Sequence, residues 1–232
     1  MSAGSNHITE NILRVLFPRT CPGCGELIET NEAICPVCLR LFPWSEEVAL
    51  RHNLTEDLFC SDPRFVRGAS FTLFTHDAPI RKFIHQMKYN ERPDIVCQLT
   101  REAAADFMQS DFFDGIDVII PIPLHPRRYR LRGYNQSEYI ARTLGKQTGI
   151  AVDVTHITRC VNNPQQARTG GRDRATNVKG IFTVNHPEEM YHKHILLVDD
   201  VITTGSTIRS CMQAMTPFRG CKISVFALGK AR

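Results

Sequence analysis

The sequence predicts an α/β chain in two parts: a doubly wound parallel sheet, preceded by a small metal-binding module. Three observations predict this. From "IDVIIPIPL" onward, short aliphatic runs alternate with helical stretches, the pattern of βαβ units whose sheet is covered on both faces. Four of the nine cysteines fall within "CPGCGELIETNEAICPVC". The most hydrophobic run, "KHILLVDD", ends in Asp199 and Asp200 and passes at once into "VITTGST".

A chain of 232 residues holds one good core plus a satellite. Its 42% hydrophobic and 22% charged content is that of an ordinary globular protein, and no apolar run approaches the ~20 residues of a membrane span. An integral membrane protein is therefore not expected. The first twenty residues lack a basic start, a long apolar segment and a small-residue cleavage site, so the expected location is the cytoplasm. Net charge is a mild +4, but arginine concentrates in "HPRRYRLRGYNQSEYIAR" and "RCVNNPQQARTGGRDRATNVKG". A solvated basic face is the plain alternative to an anionic partner there; interleaved glycines and prolines argue against a simple helix surface.

Taken in order, residues 1–19 read as a short helix with Ile12, Leu13, Leu16 and Phe17 on one side, and the cysteine module runs to about Pro43. Residues 44–67 are mixed and polar and read as a connector. The main domain is expected over 68–232. "GASFTLFTH" alternates as a strand does, and Ile80, Phe83, Ile84 and Met87 make a helical stripe. Pro93 opens a second helix reaching about Gln109. Next come the strand "IDVIIPIPL", a helix closing at Gly149, the strand "IAVDVTHITR", the strand "KHILLVDD", the helix "GSTIRSCMQAMT" and a final strand "CKISVFAL".

Cys21, Cys24, Cys35 and Cys38 form two C-x-x-C pairs with ten residues between them. Each pair suits a tight turn that aims two thiolates at one centre, and four thiolates around Zn²⁺ leave no open position, so the metal is structural. Two disulfides or a redox pair are the competing readings. A reducing cytoplasm disfavours the first, and two symmetric pairs in a proline-rich stretch disfavour the second. The remaining cysteines read as small core residues.

At the acid-ended strand, Thr203, Thr204, Gly205, Ser206 and Thr207 offer N–H groups and hydroxyls at a helix start, where the dipole favours an anion. Gly205 permits close approach. The motif is not a Walker loop, and no G-x-G-x-x-G is present. Asp199 and Asp200 would repel a phosphate, so they are expected to face ribose hydroxyls or a hydrated Mg²⁺. An acidic capping pair on a well-capped helix is the bland alternative.

The acid pair with T-T-G-S-T resembles the phosphoribosyl-diphosphate (PRPP) signature of type I phosphoribosyltransferases. With the four-cysteine module, "PIPLHPRRYRLRGYNQS" and "QQARTGGRDRATNVKGIF" in that order, nearly the whole chain resembles the ComF family of competence-associated proteins; R-G-[FY]-N-Q, here Arg132 to Gln136, is the most distinctive piece. The resemblance implies a type I phosphoribosyltransferase core with a Rossmann-like parallel sheet, an N-terminal zinc ribbon and a hood at about 68–92. It implies that Asp199 and Asp200 take ribose hydroxyls directly or through Mg²⁺, and that residues 203–207 take the 5-phosphate. His125, Arg127, Arg128 and Arg132 fall at the diphosphate. Arg172 and Arg174 fall in a covering loop with Asn177 near its base. Thr169 and Ile181 depart from the family pattern.

Two functions follow. In one, the chain is a ComF-type protein of DNA uptake that binds PRPP with Mg²⁺ and single-stranded DNA, stacking bases on Tyr129, Tyr134 and Tyr89, and works with other competence proteins such as an uptake helicase or ATPase. In the other, it is an active phosphoribosyltransferase of nucleobase salvage or modification.

Overall fold

The computed structural model describes residues 19–28, 30–75, 80–89, 92–160 and 180–231; the helix expected ahead of residue 19 lies outside them. The strands are β1 (Phe65–Phe74), β2 (Val118–Pro121), β3 (Ala151–Val152), β4 (Ile157–Arg159), β5 (Phe182–Val184), β6 (His194–Ile202) and β7 (Lys222–Ala231). The helices are α1 (Pro36–Arg40), α2 (Ile80–Tyr89), α3 (Pro93–Phe107), α4 (Pro126–Arg132), α5 (Gln136–Thr148) and α6 (Ser206–Ala214).

Five strands form one sheet in the order β1-β7-β6-β2-β3, and every neighbouring pair is parallel. This is the parallel core that the strand–helix alternation predicts. In β6, Ile195, Leu196, Leu197 and Val198 are all fully buried. Because successive side chains point to opposite faces, Ile195 and Leu197 enter one apolar cluster, Leu196 and Val198 the other. A run without polar members therefore marks a strand with protein on both sides. Helices α3 and α5 cover one face through Leu99, Ala103, Ile140 and Leu144; α6 covers the other through Ile208, Cys211 and Met212.

The order of the strands also locates a crevice. The chain leaving β2 turns outward to β3 through α4 and α5, whereas the chain leaving β6 goes the other way, to β7 through α6. Between the carboxyl ends of β2 and β6 the winding thus reverses, and ligands of open α/β sheets bind at such points.

Two stretches depart from the sequence expectation. Residues 150–159 are not one strand. The Asp153 carboxylate accepts the N–H groups of Thr155 and His156, each at 2.9 Å, and turns the chain, so that β4 leaves the sheet and pairs antiparallel with β5. His156 holds the foot of this hairpin, with Nδ1 2.7 Å from Asp153 and Nε2 3.1 Å from Glu189. Burial opposes ionisation of Asp153, yet the His156 and Thr155 hydrogen bonds hold its carboxyl below its ordinary value. The basic segment after β2 is helical: Pro126 opens α4, His125 caps it, and Gly133 closes it at φ 74°.

The polar segment between the cysteine module and β1 is packed rather than loose. Trp44 pairs with Thr72, and the buried Glu47 carboxylate accepts the Thr55 N–H at 3.2 Å, the Thr55 hydroxyl at 2.5 Å and the Ser70 N–H at 2.8 Å. Asn53 Nδ2 adds a bond to the Gly68 carbonyl at 2.8 Å. Glu47→Gln puts an amide donor against these donors, at a cost of about 1–3 kcal/mol. The thermal midpoint is expected to fall by roughly 2–12 °C; an unchanged midpoint would mean that the network contributes nothing net.

Candidate functional site

The metal centre is built from two turns. Thr20 and Leu27 form an antiparallel bridge around the first pair, and Gly25, at φ 81°, donates its N–H to the Cys21 carbonyl at 2.9 Å. Cys35 caps α1, its Sγ taking the Cys38 N–H at 3.4 Å. The Sγ atoms of Cys21, Cys24, Cys35 and Cys38 all lie within 4.8 Å of one another, with Cys24 and Cys35 at 3.7 Å. Tetrahedral Zn–S bonds of ~2.3 Å set sulfurs about 3.8 Å apart, so four thiolates in this arrangement fit a structural Zn²⁺. Burial works against ionising Cys21, but N–H groups of Cys35, Cys24 and Gly23 bring its thiol down to about 7, while burial and the neighbouring sulfurs push that of Cys38 up; without a cation between them the four thiols do not ionise together. The module docks on α3 through Gln98, whose buried Oε1 accepts the N–H groups of Ala33 and Ile34, each at 2.8 Å. Phe42 packs edge-on against Phe83 of α2 at 5.2 Å.

Asp199 and Asp200 do not leave the sheet. β6 continues to Ile202, with Asp199 paired to Ala227 and Val201 to Gly229 of β7, so the acids stand on the last turns of the strand and face different ways. Asp199 Oδ1 accepts the hydroxyl of Ser137, at the start of α5, at 3.0 Å and the N–H of Asp200 at 2.9 Å. Asp200 borders a small apolar cavity lined by Phe42, Phe83, Ile84 and Met87. Beyond them Thr203 and Thr204 are exposed, Gly205 is buried at φ 71° as the N-cap of α6, and Ser206 and Thr207 make its first turn. The N-cap has no side-chain bond; the Thr204 hydroxyl reaches only Ser206 N–H, at 3.4 Å.

Across the crevice, His125 Nδ1 accepts the Arg127 N–H at 3.1 Å, which commits that nitrogen to capping α4. Arg127 is exposed and Arg128 half-buried. Arg132 reaches Gln136 Oε1 at 3.4 Å. Arg172, Arg174 and Asn177 lie outside the described residues; β4 and β5 stand on either side of that segment. The acid pair, the hydroxyl turn and α4 therefore all border the carboxyl edge of the sheet at β2 and β6.

Comparison with known proteins finds a family model for the cysteine module and relatives along most of the chain. A family model described as a double zinc ribbon domain covers residues 12–51. Competence protein F of Haemophilus influenzae is 26% identical over 213 residues, covering 91% of this chain and 84% of that protein. The chain is thus similar to competence protein F over most of its length. DNA utilization protein YhgH of Escherichia coli K12 is 26% identical over 211 residues (90% and 88% of the two chains), and competence protein ComFC of Bacillus subtilis 25% over 207 residues (88% and 81%). Among solved structures, a purine phosphoribosyltransferase from Pyrococcus horikoshii aligns over 57% of this chain and 74% of its own, at 16% identity and a TM-score of 0.37. An adenine phosphoribosyltransferase aligns over 61% and 73%, at 15% and 0.39.

The R-G-Y-N-Q stretch acts as a clasp between α2 and the crevice. Gly133 supplies the left-handed turn; the Tyr134 hydroxyl donates to the Met87 carbonyl, as does Gln136 Nε2 at 3.0 Å. Asn135 caps α5 and donates to the Ile122 carbonyl at 3.2 Å. Tyr134 is buried, which removes it from the expected stacking surface; Tyr129 is 47% exposed, and the Tyr89 side chain lies outside the description. Three residues at the site carry no sequence signal of their own. Ser137 bonds Asp199, Arg209 grips the hydroxyl turn, and Arg159 of β4 lies over Phe182, 5.3 Å from the ring centroid. Burial, and after it the positive charge of Arg128, lowers the Arg159 pKa, while Asp199 opposes the shift.

Among the described residues no helix is long and apolar enough to cross a membrane.

Proposed function

We propose that the chain binds PRPP with Mg²⁺ in the crevice between the carboxyl ends of β2 and β6, and that it serves DNA uptake in natural transformation. The observation that carries this reading is the turn at α6. Gly205 at the N-cap has no side chain to occupy the first N–H groups of α6, and among the described residues only the Thr204 hydroxyl is engaged there, which leaves those of Thr203, Ser206 and Thr207 for a ligand. A 5-phosphate would take the N–H groups of this turn. Asp199 and Asp200 would accept ribose hydroxyls, while Arg127, Arg128, Arg132 and the free edge of His125 would meet the diphosphate, with Arg174 joining from the covering segment. Mg²⁺, when bound with PRPP, neutralises diphosphate charge, and carboxylates are the donors such a hard ion accepts.

Calorimetric titration of the zinc-loaded protein with PRPP and Mg²⁺ tests this. Saturable binding is expected; none by a folded protein would sink the assignment.

Single-stranded DNA would follow α4, where Arg127 and Arg130 are exposed beside Tyr129 and Leu131, the last 85% exposed. If the four arginines of α4 each meet a phosphate, affinity should fall about 50-fold between 50 and 200 mM salt, from a slope of ~0.7 per phosphate. A flat salt response would exclude this role. Work beside other competence proteins, such as an uptake helicase or ATPase, and a cytoplasmic setting belong to the same reading. The second reading, transfer to a nucleobase, needs an acceptor pocket, and the apolar cavity of Phe42, Phe83 and Met87 beside Asp200, at about 10 Å³, is too small for a planar acceptor unless α2 moves.

A further inference from the structure

The turn assigned to the 5-phosphate is fastened from behind. Arg209, on the first turn of α6, donates from Nη1 to the Leu58 carbonyl at 2.9 Å and from Nη2 to the Thr204 carbonyl. No peptide in the described chain is cis, so the N–H of the planar Thr204–Gly205 unit points opposite to its carbonyl. A guanidinium that draws the Thr204 oxygen to one side therefore turns the Gly205 N–H to the other. Without it, that oxygen could swing toward an incoming anion and repel it.

The second arm of the fork makes the hold firm. Leu58 belongs to the segment between the zinc module and β1, and its neighbour Phe59 is fully buried beneath Gly205. A Cβ at position 205 would meet two Phe59 ring carbons at 3.1 Å and Leu58 at 3.3 Å. Arg64 adds a second tie between the same segment and α6, its Nη2 donating to the Met212 carbonyl at 2.7 Å while Asp62 accepts from Nε and from the same Nη2. The turn is thus held between a packed wall and a two-point clamp.

We infer that Arg209 is a positioning residue for the anion-binding turn: it sets the Thr204–Gly205 peptide so that the Gly205 N–H faces the ligand phosphate. This rests on the reading of residues 203–207 as a phosphate cradle. It ties the cradle to the segment that follows the zinc module, through an arginine that need not touch the ligand.

The test uses the full-length, zinc-loaded protein with ¹⁵N label and inorganic phosphate as the probe, followed by PRPP with Mg²⁺. In the unaltered protein the Gly205 amide resonance should move saturably with phosphate. Arg209→Met keeps the aliphatic stem and removes the fork; it should weaken phosphate at least tenfold and shift the Gly205 resonance before any phosphate is added. Arg209→Lys keeps the charge but lacks the two-armed fork, and should behave like Arg209→Met. Equal phosphate affinity in Arg209→Met, or full recovery in Arg209→Lys, would overturn the positioning role, the latter by showing that charge alone suffices. A Gly205 amide that ignores phosphate in the unaltered protein would overturn it too. If phosphate moves Gly205 but PRPP does not bind, the PRPP reading fails and the inference stands.

Discussion

Stripping zinc with a strong chelator is expected to loosen α2 together with the ribbon. Cys21, Ala33, Ile34 and Phe42 are buried in the same apolar cluster as Phe83, Leu196 and Val198, so the ribbon is part of the main core rather than an appendage. Structural zinc contributes ~10–16 kcal/mol to folding in zinc-finger peptides. If even a quarter of that reaches the core, ~3 kcal/mol is lost, and the thermal midpoint falls by about 6–12 °C for a chain of this size. Trp44 reports the event cleanly. It is the single tryptophan, with its ring 4.7 Å from Phe42 and 4.5 Å from Phe71. Its emission should shift to the red on chelation and return when zinc is restored, with Cys24→Ser giving the same end state. A metal-free protein that keeps both its midpoint and its emission would show that the ribbon folds without help.

Replacing both acids, Asp199→Asn with Asp200→Asn, is expected to cost at least ~100-fold in affinity for PRPP with Mg²⁺ while leaving the fold intact. A hydrogen bond to a charged group is worth about 1.5–3 kcal/mol, and each ~1.4 kcal/mol is a factor of ten. The local structure should survive because the amide oxygen can still accept the Ser137 hydroxyl that Asp199 now holds at 3.0 Å. Zinc content and melting serve as controls. The two single variants should differ, since Asp199 stands toward Ser137 and Asp200 toward the apolar cavity. Wild-type affinity in the double variant would remove the acids from the ligand site altogether.

What could be read in advance follows from how local each signal is. "ILLV" announces a central strand because no member is polar, and the two C-x-x-C pairs announce their centre through spacing alone. Helix α4 was hidden because four arginines mask its apolar content, although Pro126 and Gly133 stood at its two ends as start and stop signals. β4 and β5, three residues each, are too short to show a period. Glu47, Asn53 and Glu56 read as surface because charge and amides usually are; their burial depends on N–H groups of residues 55, 68 and 70, which only the fold brings near. The grip of Arg209 on Leu58 spans 151 positions, and no pattern in either segment foretells it.

The place of β7 bears on how the chain reaches this state. It lies between β1 and β6, and its register joins Phe65 to Ile223 at one end and Phe74 to Ala231 at the other. On a ribosome, β1 would therefore wait, with its sheet edge uncovered, until residues 222–231 had emerged. The wall beneath Gly205, carried just ahead of β1, would wait with it. Such distant pairing closes late and slowly. The turn of residues 203–207 should be among the last parts of the molecule to settle, and nascent chains halted before residue 222 should expose β1 to chaperones and proteases.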